Sequence, residues 1–414
     1  MLCALLSVLF LAGCATSMES RLNDVRKDFA AGEFKKQTVG DRNLDPLLQG
    51  NALFQQGAYE KSDKKFEEIN RRMADAQSTS LLGEIGRAAS GQMAGNYRPY
   101  FMDDLFVSYY QIWDALALGR PDIARVVINQ SYDKQVRLSA EYAKLINNRE
   151  KDSNGLGEKL RAENSEWESF SDIMHPALMY LAGIYFLNFA ADQNDFETAR
   201  IYLSRADGMM PGNTFVKRDL ANARRRRAPE GAAWIFIESG FAPRLSQRRI
   251  DWPFFTGGGL RSATLVVSQA HRMPDVARID GAELVADVDA MFMTEWGEYS
   301  VNESLRALAS VVSKLALQAA AHNQSPLAGL AANVYSMASA SAEIRSWVTL
   351  PKHVSILRID KGIEHRAQGK DYILIPLKSD GNIISEIQIP KTGNHLIYIR
   401  MIDKKFEPKI INLN

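Results

Sequence analysis

The stretch Gly57-Ala58-Tyr59-Glu60-Lys61-Ser62 decides how the first half of the chain is read. A glycine permits a left-handed turn, an aromatic follows two places on, and a helical pattern continues behind it. The phrase recurs as Gly32-Glu33-Phe34-Lys35-Lys36-Gln37 and Asn194-Asp195-Phe196-Glu197-Thr198-Ala199, and more loosely as Gly119-Arg120-Pro121-Asp122-Ile123-Ala124. Each copy is expected to mark a turn between two helices. Gly50 lies seven residues before Gly57 and Phe66 nine after it, while Ala199, Leu203, Ala206 and Pro211 fit a helix and its stop.

These positions resemble the inter-helix turn of a tetratricopeptide repeat, in which the aromatic packs between paired helices. The copies stand 25, 62 and 75 residues apart, whereas an undisturbed array gives multiples of about 34. The repeats are therefore degenerate and carry insertions, and a plain helical bundle explains the helices equally well. Leu187 occupies the small-residue position expected seven before Asn194.

Between the copies, Leu105, Tyr109, Ile112, Trp113 and Leu116 recur at helical spacing from Asp104 to Leu118, which predicts an amphipathic helix with an aromatic core face. Before it, the aromatic loop from Asn96 to Asp104 opens the helix, with Asp103 or Asp104 expected as N-cap. Arg149 to Ser165 reads as a solvated insertion, and His175-Pro176 as the start of another aromatic-rich helix.

The composition breaks at Arg224-Arg225-Arg226-Arg227-Ala228-Pro229-Glu230-Gly231. Four arginines without interleaved aromatics do not look like a single-strand binding surface, and they suit a solvated helix C-terminus favoured by the helix dipole. Beyond them, Trp234 to Glu238 and Thr264 to Val267 read as strands, with Gly257-Gly258-Gly259 as a flexible turn. No Lys-Ser or Lys-Thr follows that triplet, so it is no phosphate loop. Helices are expected over 281–297, 302–322 and 326–342. Strands are expected over Val354 to Ile359, Tyr372 to Leu377, Ile383 to Ile389, Leu396 to Ile402 and Lys409 to Leu413, forming a small sheet buried on one face.

The chain opens on an uncharged apolar run that closes on Leu11-Ala12-Gly13-Cys14. This resembles a bacterial lipoprotein signal: small residues admit the signal peptidase and the Cys14 thiol accepts a diacylglyceryl group. The missing basic n-region predicts a few residues upstream of Met1. Two downstream phrases, Arg345-Ser346-Trp347-Val348-Thr349-Leu350-Pro351 and Gly240-Phe241-Ala242-Pro243-Arg244, resemble a family of uncharacterised bacterial lipoproteins with degenerate tetratricopeptide-like repeats. The resemblance implies an envelope location and, because Ala15 rather than aspartate follows Cys14, the outer membrane facing the periplasm.

The expected fold is thus multidomain α+β. A signal and lipidated Cys14 occupy 1–14 and a tether 15–23. A helical tetratricopeptide-like solenoid covers 24–227, and a mixed domain covers 232–414, with a mainly antiparallel β module from about 352. Net charge is +1 across 414 residues, which gives no global pull toward nucleic acid. Both cysteines, Cys3 and Cys14, lie in the signal, which leaves no mature free thiol for nucleophilic or cluster chemistry.

The six histidines are scattered without metal spacing, and no Gly-x-Ser-x-Gly elbow occurs. No catalytic residue, metal or cofactor is therefore expected. Asp287 with Asp289, and Glu295 with Glu298, are the carboxylate pairs that would serve an enzyme acting on peptidoglycan. The leading expectation is a lipid-anchored binding or scaffold protein that meets an envelope protein or peptide partner. Tyr97, Tyr100, Phe101, Arg345 and Trp347 are its candidate interaction residues, although Arg345 and Trp347 equally fit a latch between helices and sheet. A structural component of an envelope assembly is the third class.

Overall fold

The computed structural model describes residues 18–35, 37–77, 95–151, 175–256, 259–297, 299–300, 341–360, 372–402 and 407–413. The signal, Cys14 and the predicted helix over 302–322 therefore lie outside the described residues, as do most of the predicted insertion at 149–165 and all of the predicted helix over 326–342 except residues 341 and 342, which are not helical.

The chain begins with α1 (residues 18–30), whose Met18, Leu22, Val25 and Phe29 are buried along one helical stripe. The expected tether over 15–23 is corrected accordingly, since helix already covers residues 18–23. Three helical hairpins follow: α2 (Leu44–Gln55) with α3 (Tyr59–Gln77), α4 (Phe101–Ala117) with α5 (Pro121–Lys151), and α6 (Pro176–Asn188) with α7 (Gln193–Met209). The last helix of this half, α8 (Thr214–Arg224), packs on α7.

Local chemistry sets the turns. Gly57 (φ +74°) and Gly119 (φ +66°) hold left-handed conformations, and Ala58 N–H donates to Leu53 O and Arg120 N–H to Ala115 O, both at 2.9 Å. This is the glycine-terminated helix end that satisfies the last carbonyls. Gly32 ends α1 in the same way, with Glu33 N–H donating to Asp28 O. There the expectation of an immediate second helix fails: Asp45 accepts from Val39 N–H (2.7 Å) and the Thr38 hydroxyl (2.5 Å), and helix resumes only at Leu44. At the third hairpin Asp192 caps α7, so Asn194 and Asp195 already lie in its first turn. The arginine run closes α8 and is exposed, as expected.

Two glycines let paired helices touch. A β-carbon on Gly50 would meet the Phe66 ring at 2.7 Å, and one on Gly183 would meet Leu203 Cγ at 2.6 Å. In the third hairpin the small residue is thus Gly183, not position 187.

The sheet has the order β4-β5-β1-β8-β9, formed by β1 (Ala232–Ser239), β4 (Glu283–Asp287), β5 (His353–Asp360), β8 (His395–Met401) and β9 (Lys409–Asn412). β1 runs antiparallel to β5 and parallel to β8. Two separate hairpins are β2 (Arg244–Thr256) with β3 (Gly259–His271), and β6 (Tyr372–Ser379) with β7 (Asn382–Pro390). The predicted helix over 281–297 is corrected to β4 followed by α9 (residues 288–297).

The helical and mixed halves share one core. Trp234, Phe236, Leu396 and Tyr398 lie in the same buried cluster as α2, α4 and α6. Trp113 packs edge-on against Phe236 and Tyr398, at 5.4 and 5.6 Å between centroids, and Phe54 against Tyr398 at 4.8 Å. The opposite face, with Ile235, Ile237, Ile397 and Ile399, is covered by Ile373, Ile375, Leu377, Ile387 and Ile389 of β6 and β7. The expected C-terminal sheet buried on one face is therefore corrected. β6 and β7 form a lid, and the strands β1 and β8 beneath it are buried on both faces.

Candidate functional site

The residues expected to interact converge inside the molecule. Asp41 accepts from the N–H groups of Asn43 and Leu44 at the start of α2 and from Tyr97 N–H, each at 2.9 Å. Arg345 joins it, donating to Asp41 Oδ2 (2.6 Å), Gly95 O (2.7 Å) and both oxygens of Glu343. These carboxylates raise the Arg345 pKa further above its ordinary value, against the opposing effect of burial. The Trp347 indole N–H donates to Thr349 Oγ1 (3.0 Å), and its ring lies 5.9 Å from both Phe66 and Tyr110. Tyr97, Tyr100, Arg345 and Trp347 are buried and Phe101 is half-buried. As an open docking surface this set is corrected: it is a latch that ties the entry to α2, the entry to α4 and the approach to β5.

The start of α4 is held by carboxylates, though not by the expected cap. Tyr100 occupies the N-cap position, and Asp103 reaches back from the third helical position to accept Tyr100 N–H (3.0 Å) and the Tyr97 hydroxyl (2.6 Å). Glu295, from α9, accepts from Phe101 N–H and from Met102 N–H (3.0 Å). Burial pushes Asp103 up to about 7 and Glu295 up to about 8. Glu295 thus binds the free N–H groups of a helix end. Glu298 lies outside the described residues. Asp287 accepts from Ala290 N–H (2.9 Å) at the start of α9, while buried Asp289 faces Arg272 at 3.4 Å. Among the described residues no group of histidine, cysteine and carboxylate side chains has the arrangement to hold a metal ion.

A cleft of about 240 Å³ lies between α3, α4 and α5. Helical spacing builds it: Asn70 and Met73 from α3, then Asp104, Ser108 and Gln111 from one stripe of α4. Val127, Gln130, Lys134 and Arg137 complete it from one stripe of α5. Lys134 Nζ sits 2.5 Å from Asp104 Oδ1 and donates to Ser108 Oγ (3.1 Å) and Asn70 Oδ1 (3.2 Å). Asn70 donates to Gln111 (2.8 Å), which donates to Asp63 (2.9 Å). Arg137 stands at the rim, 45% exposed and 3.9 Å from Asp104.

This wall presents amides, one carboxylate and two cations, all within one recess. The cleft was not read from the sequence, where the apolar stripe of α4 drew attention. Its signal was the stripe Asp104, Ser108 and Gln111, at spacings of four and three on a mostly apolar helix. The chain matches no family model, no curated protein and no solved structure.

Proposed function

We propose that the chain is a lipid-anchored binding or scaffold protein of the bacterial cell envelope, held by acylated Cys14 at the outer membrane and facing the periplasm. It engages an extended segment of a protein partner on its helical hairpins, which stack as degenerate tetratricopeptide-like repeats. The observation that carries this reading is the α3–α4–α5 cleft. Asn70, Gln111 and Gln130 suit the pairing needs of a peptide backbone, and Arg137 with Lys134 suits acidic groups on it. Ile123, Val126 and Val136 are exposed on the same helix α5, as apolar contacts beside a polar recess. The turn glycines Gly57 and Gly119 and the close approaches at Gly50 and Gly183 support the repeat reading.

Attachment rests on Cys14 because, among the described residues, no helix is long and apolar enough to cross a membrane. Two or more acyl chains hold a protein stably, whereas one gives marginal binding. Cys14→Ser is expected to move the protein from the membrane to the soluble fraction, and retention in the membrane would sink the anchor. Purification after cross-linking in intact cells is expected to recover a discrete protein adduct. Recovery of glycan alone would overturn the partner assignment in favour of a cell-wall ligand.

A further inference from the structure

Helix α1 carries a guanidinium that the fold buries without a counter-charge. Arg26 is 8% exposed. Its Nη1 meets the Met273 thioether at 3.8 Å, a weak acceptor, and its Nε is buried with no partner. Among the described residues no carboxylate pairs with it. The other buried arginines all face carboxylates: Arg345 faces Asp41 and Glu343, Arg358 faces Asp219, and Arg400 faces Glu238. A buried charge left unpaired is costly, so the exception at Arg26 calls for an anion.

Its neighbour is a second cation, Arg244 at the start of β2. Burial first, and the like charge of Arg244 second, push the Arg26 pKa down to about 10. Glu19 stands on the same side of α1, about two turns before Arg26, with its carboxylate 3.7 Å from Arg244 Nη1. That contact is too long for a hydrogen bond, and one carboxylate leaves one of the two guanidiniums unbalanced. The ladder sets His271 directly opposite Arg244, on the same face of the two strands, and Ser246 Oγ lies 2.7 Å from its Nε2. Met273 follows two residues on, so α1 and the root of the β2–β3 hairpin wall one spot. The side chains of Arg244 and Glu19 are 38% and 37% exposed, which gives that spot access to solvent.

We propose that Arg26 and Arg244, with His271 beside them, form a binding site for a phosphate group, either free or on a lipid headgroup. A guanidinium fork pairs bidentately with phosphate oxygens. A planar carboxylate is filled by one such fork, whereas a tetrahedral phosphate presents oxygens to two guanidiniums that arrive from different elements. Its charge of about −1.5 to −2 at neutral pH balances both arginines and replaces the long contact with Glu19. The site shares no residue with the α3–α4–α5 cleft and depends on neither the partner nor the anchor proposed above.

The test titrates inorganic phosphate into the full chain in neutral detergent at constant ionic strength, with chloride as the control anion. A second arm dopes the micelles with phosphatidic acid, with diacylglycerol as its neutral counterpart. Calorimetry is expected to show saturable one-site binding, and the melting temperature is expected to rise with ligand. Arg26→Gln, which keeps the stem and removes the charge, is expected to weaken binding at least about tenfold and, without ligand, to melt no lower than the unchanged chain. Arg244→Gln, at the exposed rim, is expected to weaken binding as well and carries the test if Arg26→Gln does not fold. Saturation by inorganic phosphate supports the site with free phosphate as its source, and a response to phosphatidic acid alone supports it with the headgroup as its source. Neither ligand acting beyond its control, or variants that bind as the unchanged chain does, would overturn the site and leave Arg26 as a structural residue.

Discussion

The two faces of β1 and β8, at the centre of the sheet, are both buried, and by different means. Toward the helices, β1 presents Trp234, Phe236 and Glu238, and β8 presents Leu396, Tyr398 and Arg400. Toward the β6–β7 lid the same strands present Ala233, Ile235, Ile237, Ile397, Ile399 and Met401. The helix face carries ionisable groups at full burial. Glu238 accepts from the hydroxyls of Tyr110 (2.8 Å) and Tyr398 (2.7 Å), with Arg400 Nη1 at 3.6 Å. Asp219 accepts from the Tyr180 hydroxyl and the Trp234 indole, both at 2.7 Å, and from Arg358 Nε at 3.0 Å.

The difference separates specificity from simple burial. An aliphatic face is satisfied by any complementary apolar surface. A buried carboxylate is satisfied only where its donors stand, so the helix face fixes which helices lie on the sheet and in what register. Burial raises the pKa of both Glu238 and Asp219, and their donors oppose that rise.

The largest effect expected from breaking this contrast is at Glu238. Glu238→Ala leaves two tyrosine hydroxyls without their acceptor and Arg400 without its counter-charge, and is expected to cost about 3–5 kcal/mol in denaturant unfolding. On the lid face, Ile399→Val is expected to cost about 0.5–1.5 kcal/mol. Equal losses at the two positions would remove the distinction between the faces. A third effect concerns pH. Glu295 is held at about 8 against an ordinary 4.5, so the folded state keeps the proton that the unfolded state gives up. Its contribution to stability is complete below pH 4.5 and is lost as pH rises through 8. His175, lowered to about 3 from 6.5 by burial, works in the opposite sense and costs stability as pH falls below 6.5. Melting temperature followed against pH is expected to fall less steeply between 4.5 and 8 in Glu295→Gln than in the unchanged chain.

Much of the fold was legible where local chemistry decides it. Gly57 and Gly119 announced their turns, His175-Pro176 opened its helix, and the strands from Val354 onward stood out by alternation. Gly32 shows the limit of such a signal. The same phrase ended a helix, but Asp41 and Asp45 then organised an extended segment through side-chain hydrogen bonds that no periodicity reveals. The start of α1, residues 18–23, was read as tether because Met18 and Leu22 are diluted by the charges of Glu19, Arg21 and Asp24 around them. Strand β2 was missed because Arg244 to Asp251 is polar, and its ladder to β3 holds it.

The parallel pairing of β1 with β8 joins residues about 160 apart, such as Ile235 with Ile397, and depends on tertiary packing alone. For the same reason Tyr97, Tyr100, Arg345 and Trp347 stood out by type, while their convergence inside the molecule did not. Residue type alone suggests a latch; only the positions of Asp41 and Gly95 give Arg345 its partners.

The most direct test of the binding role is a photo-activated cross-linker at Gln130, on the rim of the cleft, in the acylated protein in living cells. A discrete protein adduct is expected there, absent with the cross-linker at exposed Arg225 beyond α8 and weakened by Arg137→Glu. No adduct at Gln130, or the same adducts at both positions, would contradict a partner seated in the cleft.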